Sequence, residues 1–150
     1  MSHLELRKAA LADHEVLNEI KRAASLVSDE YRKSLLANPN LLMVSEDRIR
    51  SGQVIVAEEN GQVVGLADIS IREVGLELQG LFVEPSKWKR GVGRLLVEGA
   101  VEHFGKEAAT KSLHVVASPD ARDFYLACGF EVVGDTSTRF GPAIVMKRGT

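Results

Sequence analysis

The chain has 150 residues, 45% of them hydrophobic and 27% charged, with a formal net charge of −2, which suits one compact core and leaves little room for a second domain. One cysteine, Cys128, excludes an internal disulfide, and no apolar run approaches a membrane span. Aromatics make up only 5% and no basic stripe runs among them, so a base-stacking nucleic-acid surface is excluded as well.

A single domain over residues 1–150 is expected, in the cytoplasm, because MSHLELRKAA places charges where a signal peptide needs an apolar core. Leu4 to Arg7 reads as a first strand. Asp13 is placed to cap a helix with Glu15 in its first turn, and Val16, Leu17, Ile20, Ala23, Ala24 and Val27 recur at helical spacing. Ser28, Asp29 and Glu30 restart a second helix that carries Tyr31, Leu35 and Leu36 inward and stops at Asn38-Pro39. Ser45 begins a third short helix that ends at Gly52.

From Gln53 the period changes. VIVAE, a turn at Asn60-Gly61 and QVVGLADISI read as a hairpin, and LELQGLFV after Gly75 completes a run of three antiparallel strands. A cationic glycine turn, WKRGVG from Trp88 to Gly93, then leads into a helix with Val92, Leu95, Leu96, Gly99, Ala100 and Phe104 on one stripe and Glu98, Glu102 and Lys106 off it. Strand, glycine turn and helix start together make an anion site. Glycines let backbone N–H groups converge on a phosphate, and the helix adds its unsatisfied N–H groups and the positive end of its dipole. Lys87, Lys89, Arg90 and Arg94 crowd the same place in a slightly acidic chain, which points to an anionic ligand.

Spacing separates the phosphate-binding readings. A P-loop needs lysine followed by Ser or Thr after its second glycine, but Gly93 is followed by Arg94, Leu95 and Leu96. A dinucleotide fingerprint needs a small residue where Leu96 stands. A plain basic surface turn is the remaining alternative.

Beyond the helix, Leu113 to Ala117 reads as a fifth strand, parallel to its neighbour because a helix connects them. Ser118, Pro119 and Asp120 form a helix start with a capping hydroxyl and proline at the first helical position. Ala121, Phe124, Tyr125 and Cys128 share a face of that helix, which Gly129 ends. Phe130–Gly134 and Ala143–Lys147 pair as a last hairpin across a polar connection containing Gly141 and Pro142. The expected fold is α/β: a mixed, mostly antiparallel twisted sheet of about seven strands flanked by helices.

WKRGVG resembles the coenzyme A signature of the GNAT superfamily of N-acetyltransferases, which runs Gln/Arg, x, x, Gly, x, Gly/Ala. Gly91 and Gly93 match and Trp88 departs from the first position. LFVEP upstream, GRLL downstream and ARDFYLACGF near the end also fit the family, and the element order extends the resemblance over essentially the whole chain. It implies acetyl-CoA as cosubstrate, held at Trp88, Lys89, Arg90, Gly91, Val92, Gly93 and Arg94, with the pantetheine arm along Leu81, Phe82 and Val83, where the family's fourth strand splays from the fifth. Leu81 and Val83 read equally as core. Ser118 stands where many relatives carry a cofactor-binding asparagine, and its role as a helix cap needs no ligand.

The resemblance also makes Tyr125 the general acid for the departing thiolate; a phenol with an ordinary pKa of about 10 keeps its proton at neutral pH. The competing reading is a core tyrosine with its hydroxyl bonded to backbone. Glu77, eleven residues before Trp88, lies where relatives place a general base, directly or through water, against a solvated edge charge. An inward carboxylate on so apolar a strand needs a partner or a raised pKa. His114 is the weaker candidate. Cys128 reads as packing, and no histidine has partners at metal-ligand spacing. The implied reaction is direct acetyl transfer to a primary amine in a ternary complex. The acceptor is not readable, and a homodimer stays open. The rival reading is a noncatalytic acyl-CoA sensor, and a third is an unrelated anion-binding scaffold.

Overall fold

A computed structural model describes residues 3–27, 29–73, 75–106, 112–139 and 141–149; Ser28 and the side chains of residues 29–31, including that of Tyr31, lie outside the described residues. Seven strands are hydrogen-bonded in the order β1-β2-β3-β4-β5-β7-β6. They are β1 (Leu4–Lys8), β2 (Val54–Glu59), β3 (Gln62–Arg72), β4 (Gly75–Val83), β5 (Ser112–Ala117), β6 (Glu131–Thr138) and β7 (Gly141–Gly149). The helices are α1 (His14–Ser25), α2 (Asp29–Ala37), α3 (Glu46–Arg50), α4 (Val92–Phe104) and α5 (Arg122–Ala127). β1 and β2, β2 and β3, β5 and β7, and β6 and β7 pair antiparallel, whereas β4 and β5 are parallel. The expected mixed sheet flanked by helices is therefore the observed fold, and the chain divides into two compact units.

The first unit comprises residues 1–68 and 80–99. Val54 to Ala57 are all fully buried, because β2 is covered on both faces and strict alternation has no reason to persist. One face carries α1: Leu17 and Ile20 form a core with Val54, Val56 and Leu66, and Phe82 packs against it. The other carries α4, whose Val92 and Leu96 lie over Gly65. A Cβ on Gly99 would run into the Leu6 side chain, so this glycine sets the close approach of α4 to β1. The Asn60-Gly61 turn has positive φ at both residues, as a tight hairpin of this twist requires.

Several expectations for the early helices need correction. Asp13 does not cap α1 with its side chain. Its carboxylate instead accepts from both terminal nitrogens of the Arg7 guanidinium at 2.7 and 2.9 Å and from the Ala10 N–H at 2.7 Å, since a charged bidentate partner outcompetes a helix N–H. The Arg7 guanidinium beside it holds the Asp13 carboxyl below the usual carboxylate range. Val27 and Leu36 are exposed rather than inward: Val27 lies past the end of α1 and Leu36 in the last turn of α2, beyond the reach of the core that Leu17, Ile20 and Leu35 enter. Ser45 does cap α3, accepting the Arg48 N–H at 3.4 Å.

The second unit comprises residues 69–79 and 100–150. Leu76–Leu78 pair with Leu113–Val115, and β7 runs along β5 from Gly149 at Ser112 to Ile144 at Ala117. The last hairpin is longer than expected, and Gly141 and Pro142 belong to β7 rather than to a connection. Pro142 is tolerated because it pairs only with Ser137 of β6, beyond the end of the β5 ladder, where a missing N–H breaks nothing. Among the described residues no helix is long and apolar enough to cross a membrane.

Candidate active site

The glycine turn sits in the first unit. Glu84 accepts the Ser86 N–H at 3.0 Å and also its hydroxyl, which starts a 3-10 turn at Pro85–Lys87. Lys89 and Gly91 then adopt left-handed φ of 64° and 85°. A Cβ on Gly91 would meet nothing within 4 Å, so glycine is required there by backbone conformation and not by crowding. Gly93 is not in the turn: it belongs to the first turn of α4. Leu95 N–H bonds to Gly91 O at 3.0 Å, which leaves the N–H groups of Val92, Gly93 and Arg94 without helical acceptors. That cradle fits a phosphate.

The positive charge around it is smaller than the sequence suggests. Glu59 at the end of β2 is buried at 9% exposure, and its Oε1 takes Lys87 Nζ at 2.8 Å with Arg90 Nη1 at 3.7 Å. Two of the four expected cations thus share one carboxylate, while Lys89 and Arg94 remain exposed without it. Glu59 offered no sequence signal, since a charge just before a hairpin turn is ordinary. Trp88, the departure from the family pattern, is exposed, and its Nε1 donates to Val83 O at 2.7 Å. Its indole ties the turn to the end of β4.

Leu81, Phe82 and Val83 are half-buried rather than core. They lie past Leu78, the last β4 residue paired with β5, so main-chain groups of this stretch fall outside that ladder. One Val83 acceptor position is taken by Trp88. The Phe82 ring folds back toward Gly80, where an added Cβ would meet it at 2.6 Å.

In the second unit, Tyr125 is 7% exposed. Its ring makes edge contacts with Phe124 and Phe130 at centroid distances of 5.0 and 5.2 Å. The expected alternative, a hydroxyl bonded to backbone, is not what the structure has. The hydroxyl has no partner among the described residues, and no fully buried side-chain oxygen or nitrogen there lacks one. It follows that the ring is buried and the hydroxyl keeps only a narrow opening to solvent. Burial, with a smaller contribution from Cys128, pushes the phenol's pKa above its ordinary value, so the group holds its proton through neutral and moderately alkaline pH.

Glu77 is half-exposed and pairs with Arg72 Nε at 2.5 Å, which meets its need for a partner. The sequence did not reveal Arg72. Opposite Glu77 in register stands His114, whose Nε2 is 2.9 Å from the Ser112 hydroxyl. Ser118 has extended backbone angles but its side chain caps nothing; its carbonyl accepts the Ala121 N–H at 3.0 Å instead. Ser118 thus stands at the cap position without a capping hydroxyl. Cys128 is buried beside its helix end, with its carbonyl accepting Arg148 Nη1 at 2.9 Å.

The family model described as an acetyltransferase (GNAT) domain matches residues 26–146. No curated protein matches the chain. Among solved structures, the PaiA N-acetyltransferase of Thermoplasma acidophilum in complex with coenzyme A is similar at a TM-score of 0.79 and 21% identity, covering 99% of each chain. The ribosomal-protein-alanine N-acetyltransferase of Brucella melitensis reaches 0.73 at 23% identity over 97% of this chain and 99% of its own. Escherichia coli YjaB in its apo form reaches 0.69 at 25% identity over 99% of both.

Proposed function

Since the chain belongs to the GNAT acetyltransferase family, we propose that it transfers an acetyl group from acetyl-CoA to a primary amine by direct transfer in a ternary complex. The observation that carries this reading is the start of α4, where Gly91 turns the chain through a left-handed conformation and the N–H groups of Val92, Gly93 and Arg94 are left open. These groups, with Lys89 and Arg94 beside them, would hold the pyrophosphate of coenzyme A. Main-chain groups of Leu81 and Val83 would hold the pantetheine arm, and acetyl-CoA supplies the thioester.

The remaining chemistry belongs to side chains. Tyr125 would donate its phenolic proton to the sulfur that leaves as the acetyl carbon–sulfur bond breaks and a carbon–nitrogen bond forms. Burial of its ring keeps that proton in place at working pH. Glu77, oriented by Arg72, would take the proton the amine loses, directly or through a water.

Acetyl-CoA at one hundred times its dissociation constant should stabilise the fold by about 2.7 kcal/mol, because only the native state binds it. A thermal-shift titration reads this, and a thiol-release assay against an amine panel reads turnover. No shift at millimolar acetyl-CoA sinks the acyl-site reading. A shift without turnover on any amine supports a sensor.

A further inference from the structure

The first unit holds a cation that the cradle does not use. Lys21, on α1, points its Nζ 5.4 Å from the centroid of the Phe82 ring and donates to Met43 O at 3.0 Å. The two groups it touches are neutral: a carbonyl dipole and a ring face. Among the described residues Lys21 forms no ion pair. The acidic group that acts on it is Asp68, whose Oδ1 already takes Arg48 through Nε and Nη2, both at 2.7 Å. Two cations thus share one carboxylate on this face, and Lys21 is left with the weaker claim.

The face matters. Phe82 lies in the stretch of β4 assigned to the acyl arm and turns toward α1, away from the face covered by Val92 and Leu96. An amine attacking a thioester held along that stretch must come within reach of the side chains flanking it, and Lys21 is one of them. A half-buried ammonium with no carboxylate in contact bears a desolvation cost that a shared, more distant carboxylate offsets only in part. Burial indeed lowers the Lys21 pKa while Asp68 opposes the shift. An arriving carboxylate would remove that cost.

We propose that Lys21, braced by Phe82 and the Met43 carbonyl, binds the anionic group of the acceptor, and that the acceptor class is accordingly an amine that also carries a carboxylate, such as a free amino acid. The proposal rests on the reading in which Leu81–Val83 carry the acyl arm. It narrows an acceptor choice that the mixed charges of α1 and α2 leave undecided in the sequence.

The test uses the full chain, acetyl-CoA and thiol release, with matched acceptor pairs: each of a set of L-amino acids against its own carboxamide. The wild type should prefer the free acid, and Lys21→Met and Lys21→Gln should collapse the ratio of the two kcat/KM values by about ten- to a hundredfold, mainly through KM of the acid. Lys21→Arg, which keeps the charge, should restore most of the ratio. A wild type that favours carboxamides or simple amines, or a Lys21→Met protein that keeps the preference, overturns the proposal. Acetyl-CoA titration by thermal shift on the same proteins separates the two levels. A normal shift with no amino-acid preference sinks the acceptor assignment alone, whereas no shift in the wild type sinks the acyl site and the proposal with it.

Discussion

The start of α4 and the α5 helix are built on opposite principles. At α4 the candidate groups are main-chain N–H donors presented by backbone shape, and the charged side chains beside them are exposed or, like Lys87, already paired with Glu59. At α5 the proposed group is one hydroxyl on a buried ring in edge contact with Phe124 and Phe130. The difference shows where substitution should be felt. A main-chain site is sensitive to backbone conformation and tolerant of side-chain identity; a site made of one hydroxyl is the reverse.

The sharpest break should come at Tyr125. Tyr125→Phe keeps the ring and both edge contacts, and removes a hydroxyl that has no partner among the described residues, so stability and acetyl-CoA affinity should hold. Turnover should fall by ~10²–10⁴ if the phenol protonates the thiolate. Because burial raises the phenol's pKa, ionisation of Tyr125 should not limit the wild-type rate at any pH below about 10. Equal rates in the two proteins across that range would remove Tyr125 from the mechanism.

Gly91→Val should act on binding instead. A β-branched residue at φ 85° costs roughly 1–3 kcal/mol and is relieved only by reshaping the turn. Acetyl-CoA affinity should therefore drop about tenfold or more, with circular dichroism nearly unchanged. Calorimetric titration that finds the affinity intact would place the phosphates elsewhere.

The smallest effect is expected at Trp88→Gln, which restores a family-like residue and removes the bond to Val83 O. Melting should report a loss of about 0.5–1.5 kcal/mol, while acetyl-CoA affinity stays within a few-fold. A large affinity loss would mean that the indole meets the ligand and that the cradle is not a main-chain site.

Much of this architecture is legible in the amino-acid sequence itself. Local signals determined the strand, turn and helix from Leu78 to Phe104, the Asn60-Gly61 hairpin turn, the Ser45 cap and the order of elements, because periodicity and turn chemistry act between residues close in sequence. The family resemblance came from the same short-range patterns. Tertiary structure alone decided which charges are spent on one another: Glu59 under Lys87 and Arg90, Arg72 on Glu77, and Arg7 on Asp13 in place of a helix cap. It also decided that Gly99 rather than Leu96 brings α4 close to the sheet, that Pro142 could enter a strand, and that Lys21 faces Phe82. Each of these depends on residues that meet through the packing of separate elements, and no periodicity along the chain encodes which side chain will stand across from another.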